Sequence, residues 1–296
     1  MTFNEGIKVN PGRERGGRGG RRGGGIAVGG GGGLIVVILA LVFGFNPGDI
    51  LGGGDTGAQD QTQDDAFAEC DSAEAANTNI DCRIIATAES LDAVWADLLP
   101  DSGGPDYVQP GLDIFTGSVT TGCGGATSAT GPFYCPADQT AYFDSEFFDL
   151  LESQFGANAG PLAQEYVVAH EFGHHIENQL GLLSRAQQDP QGPESGAVRI
   201  ELMADCLAGI WAKNATTVPD PDTGTTFLAT LSEQDISDAL SAAAAVGDDR
   251  IRSSQGGQVN PEGFTHGTSE QRQRWFMIGF EQGSIDVCNT FETDDL

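Results

Sequence analysis

The sequence has very little positive charge outside its first 25 residues. The chain of 296 residues contains 43 Asp and Glu but only 14 Lys and Arg, and six of those 14 lie in residues 1–25. The remainder is therefore strongly acidic and should repel nucleic acid and anionic lipid surfaces. We expect no nucleic-acid partner, and we interpret the acidity as a solvated surface.

The chain also lacks any Cys-x-x-Cys pair, which argues against a zinc site made of thiolates. Its cysteine count is even, at six. On the exported side of a membrane an even count favours disulfides, whereas in the cytosol the same residues would be candidate metal ligands. Spacing favours two local pairs and one distant pair, although other connectivities are open: Cys70–Cys82, Cys123–Cys135 and Cys206–Cys288.

Long apolar runs are absent except for one near the N-terminus. Residues 1–25 are rich in Gly and Arg, so we expect a disordered tail. Residues 26–45 carry no charge and are just long enough for one transmembrane helix. Basic residues before this run and acidic ones after it predict a cytoplasmic N-terminus and an exported domain. A cleaved signal peptide is the alternative.

Beyond this run, residues 46–66 are expected to form a flexible linker and residues 67–296 a folded domain. An amphipathic helix is predicted at Glu89–Leu99, ended by Pro100. Short strands are predicted at Gly111–Phe115 and Thr140–Phe143, and the pattern from Ser145 onward is helical. These elements indicate an α+β fold that is mainly helical, with a small β-sheet.

Histidine is scarce, yet two of the four histidines form an HExxH motif. His170 and His174 lie in a helical run, Leu162–Leu180, where positions four apart share one face and can bind one ion. Glu171 points beside that ion, where it can accept a proton from water. Gly173 has poor helix propensity. Because it has no side chain, its presence in the helix suggests that another element approaches closely there.

A catalytic zinc ion needs a third protein ligand and one open position. Residue 180 is Leu, which excludes the pattern with a third histidine six residues after His174. The predicted helix Glu194–Lys213 offers Glu201 and Asp205 on one face of an apolar run. We therefore predict Glu201 as the third ligand of a single zinc ion, with Asp205 orienting a ligand histidine.

The blocks His170-Glu-Phe-Gly-His-His175 and Glu201-Leu-Met-Ala-Asp205 resemble the neutral zinc metallopeptidases of bacteria, which are membrane-anchored proteins with a gluzincin-like site. Further blocks around Cys123, Gly131–Pro136 and His266–Arg272 are similar too, and the resemblance runs from about Ala86 to the C-terminus. It implies a zincin-like fold, peptidase activity on a peptide or protein substrate, and location at the bacterial cell membrane. It names no particular substrate.

His266 precedes a helix that Thr268 can cap, with Gln271 at the capping-box position. Two roles are open for His266: donating a hydrogen bond to the oxyanion during catalysis, or a structural role at the helix entrance. His175 follows His174 and therefore faces away from the ion. Cys206 as a thiolate ligand is a further alternative.

The sequence therefore predicts a membrane-anchored zinc metallopeptidase in which Glu171 is the general base. Two other functions remain open: a non-catalytic anchored module stabilised by zinc or disulfides, and a zinc hydrolase of non-peptide amides such as cell-wall material. We also predict that Tyr142–Asp144 is an edge strand on which a peptide substrate can bind as an added strand.

Overall fold

The computed structural model describes residues 2–12, 14–16, 67–254 and 259–296. This part of the chain is mostly helical and carries a small sheet, in agreement with the expected α+β fold. Its helices are, in chain order, α1 (Ala73–Thr78), α2 (Ile80–Asp101), α3 (Glu146–Ser153), α4 (Pro161–Gln179), α5 (Ser184–Gln188), α6 (Gly196–Asn214), α7 (Glu233–Ala245), α8 (Asp248–Ser254) and α9 (Ser269–Gln282).

The strands form one mixed sheet and one hairpin. In chain order they are β1 (Glu14–Gly16), β2 (Gly111–Phe115), β3 (Ser118–Thr121), β4 (Gly124–Thr127), β5 (Phe133–Cys135) and β6 (Thr140–Asp144). The four-stranded sheet has the order β1-β2-β6-β5, in which β1, β2 and β6 are parallel and β5 is antiparallel to β6. Strands β3 and β4 pair with each other.

Helix α4 occupies the centre of the fold. It packs against α2, α6 and α7, and strands β5 and β6 lie against it. Pro161 stands in its first turn, where the missing N–H costs no helical hydrogen bond. Nearly every residue from Leu162 to Glu177 is buried. The element that carries the HExxH motif is thus held on several sides.

Helix α2 differs from its prediction at both ends. It begins at Ile80, well before Glu89, because the side chain of Asn79 accepts a hydrogen bond from the backbone N–H of Asp81. It also continues through Pro100 to Asp101, so Pro100 does not end it. Pro100 lies in the last turn, where its missing donor affects one hydrogen bond at the surface.

The predicted edge strand is wrong. Strand β6, which contains Tyr142–Asp144, lies between β2 and β5 in the sheet: β2 pairs with it along its whole length, and β5 pairs with Thr140–Tyr142. The edge beside α4 is instead formed by β5. The run before Cys135 was too short and too Gly-rich in its surroundings to be predicted as a strand.

The prediction of a disordered tail is wrong for residues 2–12 and 14–16. Phe3, Ile7 and Val9 are buried in the same core as the helices, and residues 14–16 form the outer strand β1 beside β2. The prediction of disorder rested on the Gly and Arg content of residues 1–25 as a whole, which outweighed this short alternation of apolar and polar residues.

The predicted transmembrane helix, residues 26–45, and the predicted linker, residues 46–66, lie outside the described residues. Within the described residues, no helix is both long enough and apolar enough to cross a membrane.

Three disulfides link the chain, and they are the pairings favoured by the sequence. Two close short loops, and the third ties the C-terminal region to α6: Cys70–Cys82, Cys123–Cys135 and Cys206–Cys288. No cysteine is left free in the chain. Such bonds persist in oxidising compartments.

Candidate metal centre

His170 and His174 project from one face of α4 toward Glu201 on α6. The Nε2 atom of His170 lies 3.2 Å from one carboxylate oxygen of Glu201, and the Nε2 atom of His174 lies 3.6 Å from the other. Both imidazoles are buried, and the Glu201 side chain is 15% exposed. The structure therefore brings together the three residues that the sequence proposed as ligands.

The geometry of this cluster fits a zinc ion. One donor atom from each of the three residues lies within 4.8 Å of the others. Tetrahedral zinc with bonds of about 2.0–2.1 Å requires its ligand atoms to be about 3.4 Å apart, which falls between the two distances from Glu201. Two imidazoles and one carboxylate are also a ligand set of catalytic zinc, which leaves one position for water or substrate.

Each histidine is backed by a carboxylate on its other ring nitrogen. The Nδ1 atom of His170 lies 2.9 Å from Asp205 Oδ1, as expected from the sequence. The Nδ1 atom of His174 lies 2.8 Å from Glu177 Oε2. Such pairs fix the ring orientation and direct Nε2 to the metal. Burial and the neighbouring carboxylates raise the pKa of Glu177 well above its ordinary value.

Asp205 is itself held by a cation from α9. The Nε and Nη2 atoms of Arg272 donate to its two carboxylate oxygens at 2.8 and 2.9 Å, and the hydroxyl of Tyr166 donates to one of them. Burial alone would raise the pKa of Asp205, but Arg272 and His170 together hold it below its ordinary value. The carboxylate behind His170 thus stays ionised in a dry environment.

The close approach of α4 and α6 depends on Gly173. A Cβ atom at this position would lie 3.0 Å from the backbone Cα and O of Ala204 on α6. This contact confirms the prediction that another element approaches Gly173. Gly209 on α6 lies against the backbone of Phe276 on α9, so its small size allows a different helix pair to pack closely.

Glu171 is buried beside the ligand cluster. Burial raises the pKa of its carboxyl to about 7, against the opposing charge of His170. The backbone N–H of Tyr134 on β5 donates to the same carboxylate. A carboxylate whose pKa lies near neutrality can both accept and release a proton at neutral pH.

His266 stands at the entrance of α9 and is buried. The helix cap is Thr268, in a capping box with Gln271, so His266 does not cap the helix. Its Nδ1 atom lies 2.8 Å from Thr265 Oγ1 and 3.6 Å from Asp248 Oδ1. Burial lowers the pKa of His266, but the charges of Glu201 and Asp248 outweigh it and the net shift is upward.

Two other candidate residues lie away from the cluster. His175 is buried on another side of α4, where Nδ1 lies 2.9 Å from the Tyr134 hydroxyl and Nε2 lies 2.6 Å from the Val108 carbonyl oxygen. Cys206 is bonded to Cys288 and cannot be a thiolate ligand.

Several residues of the site were missed in the sequence. Glu177 lies three positions after His174 and Tyr166 four before His170, so helical spacing places both on the metal face and could have identified them. Arg272 was part of a similar block but carried no assigned role. Asp248 gave no sequence signal, because its function depends on a loop that is distant in sequence.

Fold and site together define a mainly helical α+β protein in which two helices bring two histidines and one glutamate together as a possible metal site. The family model described as "Putative neutral zinc metallopeptidase" matches residues 3–291, and the chain belongs to this family. The match begins within the N-terminal segment that the structure packs against the core.

Similar proteins occur in two bacteria. The uncharacterized protein Rv2575 of Mycobacterium tuberculosis is 50% identical over 297 residues, which cover 100% of both chains. The uncharacterized protein YpfJ of Escherichia coli K12 is 41% identical over 213 residues, or 70% of this chain and 69% of the relative. No solved structure matches the chain significantly.

Proposed function

We propose that this protein hydrolyses peptide bonds at a single zinc ion held by His170, His174 and Glu201. The observation that carries the proposal is the convergence of these three donor atoms within 4.8 Å, with Glu171 buried on the same helix. A purely structural zinc site would use four protein ligands and would give Glu171 no role.

Glu171 acts as general base and then as general acid. A bound zinc ion polarises the substrate carbonyl and makes water more acidic. The Glu171 carboxylate accepts a proton from the attacking water and delivers it to the amine that leaves.

His266 donates a hydrogen bond to the oxyanion that develops on the carbonyl oxygen. Its loop is fixed because one carboxylate oxygen of Asp248 accepts hydrogen bonds from three successive backbone N–H groups, those of residues 265–267, at 2.7–3.0 Å. A donor held in this way needs no reorganisation when charge develops, which is the condition for effective oxyanion stabilisation.

The peptide substrate binds along β5. This strand is an edge of the described sheet, and it lies against α4. An extended peptide can add to such an edge through main-chain hydrogen bonds. Since these bonds alternate along a strand, N-methylation of a substrate should impair turnover at alternate positions, and uniform tolerance would contradict this binding mode.

A cleavage assay tests the proposed reaction. The full-length protein, loaded with zinc, is incubated with a peptide library and with cell-wall fragments that contain amide bonds. We expect peptide cleavage that a chelator removes and added zinc restores. Cleavage of cell-wall fragments alone would replace the peptidase proposal with that of a non-peptide amidase, and no zinc-dependent cleavage of either substrate would contradict both. Attachment to the membrane through residues 26–45 stays a prediction.

A further inference from the structure

The N-terminal strap, defined as residues 2–12 and 14–16, is built into the core of the domain. Phe3, Ile7 and Val9 are only 3%, 4% and 1% exposed, and they belong to the same apolar cluster as the helices around α4. Burial of apolar side chains to this extent stabilises the folded state. The strap is therefore a part of the catalytic domain.

Polar groups of the strap are matched to partners on the domain. The Asn4 side chain donates to the backbone carbonyl oxygens of Thr226 and Leu228, each at 2.8 Å. Asn77 on α1 both accepts from the N–H of Phe3, at 3.2 Å, and donates to its carbonyl oxygen, at 3.0 Å. Reciprocal bonds of this kind satisfy the buried backbone of the strap and fix its register.

The two ends of the strap contact helix α4 and the four-stranded sheet. The hydroxyl of Thr2 donates to the fully buried carboxylate of Glu165 on α4, which is the helix of the HExxH motif. At the other end β1 pairs with β2 in parallel, with Glu14 opposite Leu112, and so extends the sheet beside α4. The strap thus spans the domain from the metal helix to the edge of the sheet.

This packing has a consequence for membrane topology. If residues 26–45 crossed a bilayer once, the strap and residues 67–296 would lie on opposite sides and could not share a core. We propose that the strap lies on the same side of the membrane as the catalytic domain. The three disulfides make the exported side the expected one. This arrangement differs from the cytoplasmic N-terminus that the charge distribution predicts.

An engineered disulfide tests the proposal within the full-length chain. Lys8 and Ser72 are direct antiparallel neighbours, and the N–H of Val9 donates to the Asp71 carbonyl oxygen, which makes Lys8 and Ser72 a non-hydrogen-bonded pair. The Cα atoms of such a pair are about 4.5 Å apart, which a disulfide can bridge. Since all six native cysteines are paired, the new cysteines have no competing free thiol in the chain.

The double variant Lys8→Cys/Ser72→Cys is expressed in bacteria and oxidised in spheroplasts before lysis. Mass spectrometry then measures the 8–72 cross-link, and the single variants serve as controls. We expect the cross-link in most of the membrane-associated protein. A cross-link no more abundant than the background of the single variants would overturn the proposal.

Thiol labelling gives a second readout that needs no cross-link. Glu5 and Glu152 are both exposed, one on the strap and one on α3. In spheroplasts, Glu5→Cys and Glu152→Cys should react equally with a membrane-impermeant maleimide. Labelling of Glu152→Cys in intact spheroplasts, combined with labelling of Glu5→Cys only after permeabilisation, would overturn the proposal. Neither test depends on the proposed peptidase activity, so their failure and the failure of that activity are distinguishable.

Discussion

Replacing Arg272 with Met should disrupt the metal centre through Asp205, although Arg272 itself is not a ligand. Arg272 is 3% exposed and donates two hydrogen bonds to Asp205, whose carboxylate is fully buried and holds Nδ1 of His170. Met keeps much of the side-chain length but removes the charge and the donors. Asp205 is then left as a buried carboxylate without its cation.

The magnitude follows from this geometry. Removing one partner of a buried ion pair costs about 3–5 kcal/mol of unfolding free energy, because the other charge stays buried and uncompensated. With a shift of about 2–4 °C per kcal/mol for a domain of this size, Tm should fall by roughly 6–20 °C. Zinc affinity should fall by about 10- to 100-fold, as is typical when support for a ligand histidine is lost.

The assay compares Arg272→Met with Arg274→Met, a matched change on the same helix. Arg274 is 41% exposed and pairs with Asp295, which is 80% exposed, so solvent screens the pair and its loss should change stability little. Thermal unfolding of the zinc-free protein and competition with a chelator give the two quantities. Equal stability and equal zinc affinity for the two variants would refute the supporting role of Arg272.

Two further predictions concern helix α4. Gly173→Ala should push α4 away from Ala204 by a few tenths of an ångström. The free energy of unfolding, measured by chemical denaturation, should fall by about 1–3 kcal/mol, and zinc affinity, measured by chelator competition, should weaken. Unchanged zinc affinity would contradict the importance of this contact. Burial raises the pKa of Glu165 from 4.5 to about 7, so its contribution to stability is complete below pH 4.5 and is lost as pH rises through 7. Glu165→Gln should therefore be more stable than the wild type at pH 8 by up to about 3 kcal/mol in denaturant titrations, but not at pH 4.5. Glu152→Gln, an exposed control, should show no such difference, and a pH-independent effect at Glu165 would count against the raised pKa.

The sequence predicted the helices of the site well, because each has strong local signals. Pro161 marks the start of α4, and the apolar period places His170 and His174 on one face, as the structure has them. The strands β2 and β6 were also predicted within one residue of their bounds. Such elements are determined by residues that are near one another in the chain.

The parts that were missed depend on contacts between distant residues. Strand β5 has three residues and becomes a strand only by pairing with β6. Asp248 matters because a loop some 17 residues later folds its N–H groups onto it. The N-terminal strap looked disordered by composition, and its buried residues are stabilised by partners more than 200 positions away, such as Thr226.

We propose that Glu171 performs the proton transfers at a zinc ion that it does not bind. Its most direct test measures zinc content and peptide turnover in the same preparations of wild type and Glu171→Gln. We predict one zinc ion per chain in both proteins and a loss of turnover in the variant by at least about 100-fold, the contribution expected of a general base. Turnover that persists in the zinc-loaded variant would contradict the account.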